Sequence, residues 1–185
     1  MMYFTSDQHF FHKNIIKYCN RKFNDVQHMH EGLISLWNET VKPEDEIYVL
    51  GDFCFSRPEN IKRTTSRLNG IKHLIKGNHD HKSVTTNFRE LGFESCSLSH
   101  TLDVEGVKVN LSHYPYLHGG DHSPKERFNN LRLKDEGDWL LHGHVHTSWK
   151  IKDRMINVGV DVCDMRPVSL DQIKSLLGFE RVEGC

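Results

Sequence analysis

Glu46-Ile47-Tyr48-Val49-Leu50-Gly51-Asp52 is a short apolar run that stops on a glycine and a carboxylate. β-Branched and aromatic residues over that length predict a buried strand. Gly51 permits a tight turn and a close approach of backbone, which leaves Asp52 just past the strand end. The same pattern stands on either side. Tyr3 to Ser6 is β-prone and runs into Asp7-Gln8-His9, and Ile71 to Lys76 is broken by Gly77-Asn78-His79-Asp80. The segments between carry helical signals. Asn14 to Cys19 suggests a short helix, and Val26, Met29, Leu33, Ile34, Trp37 and Val41 recur at helical period until Pro43. Arg57 to Leu68 has Pro58 near its first turn and closes on Asn69-Gly70. Strand, helix, strand, helix, strand is the rhythm of an α/β domain.

The second half is richer in strands. Leu98 to Val104 and Val107 to Ser112 flank Glu105-Gly106, a hairpin turn. Trp139 to Leu141 and Met155 to Val160 follow as strands, and Ser169 to Leu177 as a last helix. Between Tyr114 and Asp138 runs a long polar stretch, and a loop of that length in a compact domain is functional or disordered. No repeat or linker interrupts the chain, so residues 1–185 are expected to form one domain with ample core.

Charges nearly cancel, with 24 Lys+Arg against 25 Asp+Glu. That balance offers no electrostatic track for nucleic acid and no pull toward a membrane. The largest apolar run, around Ile47 to Leu50, is too short to span a bilayer. Met1 to Asp7 lacks a charged leader followed by an apolar stretch, which predicts a cytoplasmic location. Cys19, Cys54, Cys96, Cys163 and Cys185 are scattered without a CxxC pair, as expected of reduced thiols. The unusual count is 14 histidines, because imidazole is the commonest metal ligand and titrates near neutral pH.

Polar clusters recur where strands stop: Asp7-Gln8-His9, Gly51-Asp52, Gly77-Asn78-His79-Asp80, Ser112-His113 and Gly143-His144-Val145-His146. Loops beyond the carboxyl ends of strands converge in open α/β sheets, so these clusters can meet despite their separation. Asp7 and His9 are two apart, as are His144 and His146, which from extended chain turns each pair to one side. Carboxylate and amide oxygens mixed with imidazoles, without thiolates, suit Mn, Fe, Zn or Ni.

In order and composition these motifs resemble the calcineurin-like metallophosphoesterase superfamily, whose signature runs DxH, GD, GNH(D/E), a single His, then GHxH. Small bacterial and phage-borne members are similar at Phe4-Thr5-Ser6-Asp7-Gln8-His9-Phe10, Asn14-Ile15-Ile16 and Pro167-Val168-Ser169-Leu170. The resemblance implies two face-to-face mixed β-sheets flanked by helices, and two divalent metal ions, foremost Mn2+, with Fe, Zn, Ni and Mg as alternatives. It implies that Asp7, His9 and His146 bind the first ion, that Asn78, His113 and His144 bind the second, and that Asp52 bridges both. Asp80 stands where many members have Glu.

Two such ions activate a bridging hydroxide and clamp the phosphoryl oxygens, so no protein nucleophile is needed. His79, absent from the ligand set, is placed to protonate the leaving alkoxide or to stabilise charge on the phosphate. Asp80 is expected to orient that imidazole. His12, Tyr114 and Arg127 are candidate substrate contacts. Cys54 and Phe55 are expected beneath the site, Trp37 in the core, and His28 and His30 on an exposed helix face.

The resemblance implies hydrolysis of a small phosphate ester, and for a short member without large insertions, whose cleft is open, it inclines to a phosphodiester such as a nucleotide or cyclic nucleotide. The alternatives are a phosphomonoesterase, a nuclease, or a non-catalytic scaffold like the retromer subunit of the same superfamily. A scaffold tends to lose ligands, and here every one is present.

Overall fold

The computed structural model describes residues 1–117 and 128–179. Alternation along the central strand decides how its layers stack. Strand β2 (Glu46–Val49) sends Ile47 and Val49 to one face, while Tyr48 and the following Leu50 go to the other, as the two-residue period of a strand requires. Each face then needs its own cover. Helices α2 (Val26–Thr40) and α3 (Pro58–Thr65) supply one, through Met29, Leu33, Trp37 and Ile61 packed with Ile47 and Val49. A second sheet supplies the other, with Val109, Leu111, Leu141 and Ile156 packed against Phe4, Tyr48 and Leu50.

The first sheet has the order β10 (Val168–Ser169), β1 (Met2–Thr5), β2, β3 (Ile71–Ile75), β4 (Ser95–Ser97). The run β1 to β4 is parallel, and β10 is antiparallel at the edge. The second sheet is ordered β5 (Ser99–Val104), β6 (Val107–Ser112), β7 (Trp139–His142), β9 (Met155–Asn157), β8 (Ile151–Lys152). Strands β6, β7 and β9 are parallel, with antiparallel partners at both edges. The fold is therefore an α/β sandwich of two mixed sheets, flanked by α2, α3, α1 (Ile15–Tyr18), α4 (Val84–Asn87) and α5 (Leu170–Leu176).

The expected strands and helices are present, with small shifts at their ends. Strand β4, helix α4 and the two-residue strands β8 and β10 carry no periodic signal and were not foreseen. Strands that brief are made by their neighbours' hydrogen bonds rather than by their own pattern. The expected strand to Val160 stops at Asn157, because the chain turns through Gly159 into a single 3-10 turn at Val160–Val162. His30 is not exposed. It is buried, and its Nε2 accepts the backbone N–H of Phe11 at 2.6 Å, tying α2 to the loop after Asp7. Trp37 is buried, as expected. No helix among the described residues is long and apolar enough to cross a membrane.

Candidate metal centre

Five parallel strands, β1, β2, β3, β6 and β7, each end at one of the polar motifs. Their carboxyl ends lie on one rim of the sandwich, where Asp7, His9, Asp52, Asn78, His113, His144 and His146 come together. The convergence does not use extended chain. Asp7, His9, Asp52, His144 and His146 all have positive φ, between 47° and 71°. Such left-handed positions are uncommon outside glycine and cost about 1–3 kcal/mol each. The side chains of Asp7 and His9, and of His144 and His146, thus share a site through two left-handed positions that flank one ordinary residue, rather than through strand alternation. Strain repeated at these positions is a mark of function.

The loops touch so closely that two glycines are obligatory. A Cβ on Gly77 would lie 2.6 Å from the Asp52 backbone nitrogen, and one on Gly143 would collide with Ser6 Oγ and Asp7 Oδ2. The close approach expected of Gly77 is to the neighbouring loop.

Asp52 stands in the middle. Its Oδ2 lies 3.5 Å from His9 Nε2, and its Oδ1 lies 3.5 Å from His113 Nε2. His113 Nε2 is also 3.2 Å from Asn78 Oδ1 and 3.3 Å from His144 Nδ1. On the other side, ligand atoms of Asp7, His9 and His146 lie within 4.8 Å of one another, as do those of Asp7, Asp52 and His113. The second nitrogen of three histidines is held. His113 Nδ1 donates to the Leu50 carbonyl at 2.8 Å, His146 Nδ1 meets Asp161 Oδ2 at 3.0 Å, and His9 Nδ1 meets His12 Nδ1 at 3.3 Å. Fixing Nδ1 in this way aims Nε2, the arrangement that metal-binding imidazoles use.

The electrostatics call for cations. Burial pushes the Asp52 carboxyl up to about 7; His113 opposes this, and the neighbouring Asp7 and Asp80 add to it. Burial, with His146 and Arg21 nearby, holds His9 well below the usual imidazole range, and burial with His113 beside it takes His144 down to about 2. Both are neutral, the form that binds metal. Burial disfavours the His146 cation as well, yet Asp7 and Asp161 raise it to about 11. Asp7 Oδ1, His9 Nε2 and His144 Nε2 are buried without a hydrogen-bond partner. Buried carboxylates and orphaned imidazole nitrogens facing one space are costly alone and fit divalent cations.

Several expected roles are corrected. Asp80 does not turn toward His79. Its Oδ2 accepts the backbone N–H groups of Gly77 (2.8 Å) and Asp52 (3.0 Å), and its Oδ1 accepts that of Phe53 (2.9 Å). It is a brace between two ligand loops, since nearby unpaired amides draw a buried carboxylate inward. Asp80→Ala would leave three buried donors unmade, at a cost of about 3 kcal/mol or more. Thermal unfolding is expected to show a drop of several degrees, and an unchanged Tm would refute the brace.

Tyr114 is buried, its ring 4.9 Å from His113 and 5.0 Å from His144. It packs behind the histidines rather than opening to substrate. Phe55 is half exposed rather than beneath the site, its ring 4.9 Å from that of His12 and 5.5 Å from that of His79, whereas Cys54 is buried in the core. His12 and His79 both line a cleft of about 590 Å³ over the centre. Arg127 lies outside the described residues.

Arg21 and Asp161 were missed. The buried Arg21 guanidinium donates to Asp161 through Nε (2.7 Å) and Nη2 (2.9 Å), and to the carbonyls of Asp7 (2.7 Å) and Gln8 (2.9 Å). It thereby supports the Asp7 turn and fixes the carboxylate behind His146. Asn157 Nδ2 holds the His146 and Trp149 carbonyls, both at 2.9 Å. No local pattern marks these residues, whose partners are up to 140 positions away.

A two-sheet sandwich with a buried carboxylate and imidazole centre at its strand ends defines a metal-binding α/β protein. The chain belongs to the calcineurin-like phosphoesterase superfamily, whose domain model matches residues 4–166. It is 35% identical over 185 residues to an uncharacterised protein of Methanocaldococcus jannaschii, covering 95% of this chain and 90% of that protein. It is 33% identical over 198 residues to the Gene 66 protein of Mycobacterium phage L5, covering 95% and 93%. A crystal structure of an Aquifex aeolicus protein of unknown function is similar at a TM-score of 0.74 and 30% identity, covering 95% of this chain and 98% of that one. Family membership makes this a metal-dependent phosphoesterase acting on phosphate esters.

Proposed function

We propose that the chain, acting as one domain over residues 1–185, hydrolyses a phosphodiester with two divalent cations, manganese foremost. Asp7, His9 and His146 would hold one cation, Asn78, His113 and His144 the other, with Asp52 shared. The observation that carries this reading is the placement of the two Asp52 carboxylate oxygens, each 3.5 Å from a different histidine Nε2. Bound cations would supply an activated water nucleophile and neutralise phosphoryl charge.

The chain's own residues would do the rest. His79 lines the cleft with its ring 5.4 Å from that of His9, outside every candidate ligand group. Its backbone N–H donates to Asp52 Oδ1 at 2.9 Å, which fixes its position against the centre. Burial, with His113 and His146 nearby, lowers its pKa. Its protonated form, the minor one at neutral pH but the stronger acid for that shift, would hand a proton to the leaving oxygen. The open cleft supports a diester over a monoester, because a second substituent on phosphorus has room to leave the centre. Cys19, Cys54, Cys96 and Cys163 are free, which supports a reducing, cytoplasmic setting.

Removing metal tests the reading. Chelator-treated protein is expected to be inert toward bis-p-nitrophenyl phosphate, and added Mn2+ to restore turnover. If none of Mn, Fe, Zn, Ni or Mg gives hydrolysis of any diester or monoester, the reading fails.

A further inference from the structure

The mouth of the cleft is built from rings. Tyr18, at the end of α1, is 61% exposed, and Phe55 is 50% exposed. His12 lies between them, its ring 4.9 Å from Phe55 at 30° and 6.2 Å from Tyr18 at 76°. Phe55 reaches the centre through His79, ring to ring at 5.5 Å. A separate ring adjoins the other half of the centre. Phe128, 5.8 Å from His144, is seated on buried Tyr114 at 5.2 Å and 29°, and it holds a left-handed φ of 61°. Large apolar rings left open to water in contiguous sets mark binding surfaces. These border the space where the ester would react.

Among the described residues lining the cleft there is no lysine or arginine. Among those residues, ring faces rather than ion pairs are what the cleft offers to whatever the phosphate carries. Flat π faces at the rim of a polar centre suit a planar, uncharged heteroaromatic group, since every base presents such a face for stacking.

We propose that His12, Tyr18, Phe55 and Phe128 form a base-stacking rim, so that the ester hydrolysed is of the nucleotide type. This rests on the phosphoesterase reading above and adds the substrate class. The described residues that line the cleft offer a long polynucleotide no cation for its flanking phosphates.

The test is equilibrium binding by calorimetry to the manganese-loaded full chain. Adenosine 5′-monophosphate is compared with ribose 5-phosphate, which offers the same phosphate and sugar without the base. The nucleotide is expected to bind about tenfold more tightly, the order of one stacked base. In the Tyr18→Ala/Phe55→Ala double variant that preference is expected to fall below about twofold, with ribose 5-phosphate bound as before. Both side chains are exposed, so the fold does not depend on them, and Phe55→Tyr, which keeps the ring, is expected to retain the preference. Equal binding of the two ligands by the unmodified chain, or a preference that survives the double variant, overturns the proposal. Turnover of bis-p-nitrophenyl phosphate on the same preparation separates the two readings. Turnover without base preference sinks the stacking rim alone, whereas absence of turnover with any metal sinks the phosphoesterase reading, whatever the nucleotide does.

Discussion

Asp52→Ala is expected to lose both cations and to lower turnover by about a thousandfold or more, since charge stabilisation by the metal centre is worth several kcal/mol. The carboxylate faces both halves of the centre. Its Oδ2 is 3.5 Å from His9 Nε2, and its Oδ1 is 3.5 Å from His113 Nε2. Without it, Asn78, His113 and His144 present only neutral ligands, and a hard divalent cation binds poorly to such a set. The other half keeps Asp7 alone as an anion. The variant also frees the His79 backbone N–H, which donates to Asp52 Oδ1 at 2.9 Å, so the Gly77–Asp80 loop loosens. Metal content by elemental analysis and manganese titration by calorimetry give the direct readout, with a thermal melt as control for folding. Retention of two manganese ions at unmodified affinity would contradict the shared-ligand role.

His79→Ala is expected to behave in the opposite way. Metal content should stay at the unmodified level while kcat falls about 10²- to 10⁴-fold, the range for loss of a positioned proton donor. The imidazole reaches into the cleft beside His9 but belongs to no candidate ligand group. Its removal takes away no cation contact, and the backbone N–H that anchors the loop to Asp52 remains. The defect should shrink with substrates whose leaving group needs no proton. The p-nitrophenolate of bis-p-nitrophenyl phosphate is such a group, so alkyl esters should suffer more than aryl esters. A variant that loses metal, or that slows both ester types alike, would remove His79 from proton transfer.

Asp52 and His79 were legible in the sequence because the pattern that exposes them is local. Apolar runs of strand length, each stopped by Gly-Asp, Gly-Asn-His-Asp or Gly-His-Val-His, name the strand ends and the donor types in one reading. The helix over Val26–Thr40 was equally plain, since its period is written in Met29, Leu33 and Trp37. Strand β4, at Ser95–Ser97, was not, because a three-residue strand is made by its pairing with β3. Asp80 shows the limit best. Adjacent to His79 in sequence, it suggested a partner for that imidazole. In the fold, amides from Gly77, Asp52 and Phe53 surround its carboxylate and claim it.

Tyr114, Phe55 and His30 follow the same rule. Each was given a side by its neighbours in sequence, and each takes its side from what packs against it. Arg21 and Asp161 stand 140 residues apart, and no spacing rule reaches across that gap. The sequence by itself determined the longer strands and helices and the kinds of donor at the strand ends. Those follow from hydrophobic period and donor type, which are properties of short segments. Only the tertiary structure decided where each side chain points. The left-handed turns at Asp7, His9, Asp52, His144 and His146, the brace at Asp80 and the clamp at Arg21 all depend on loops from distant strands meeting at one rim. There, a buried polar group must find whichever partner the fold brings within reach.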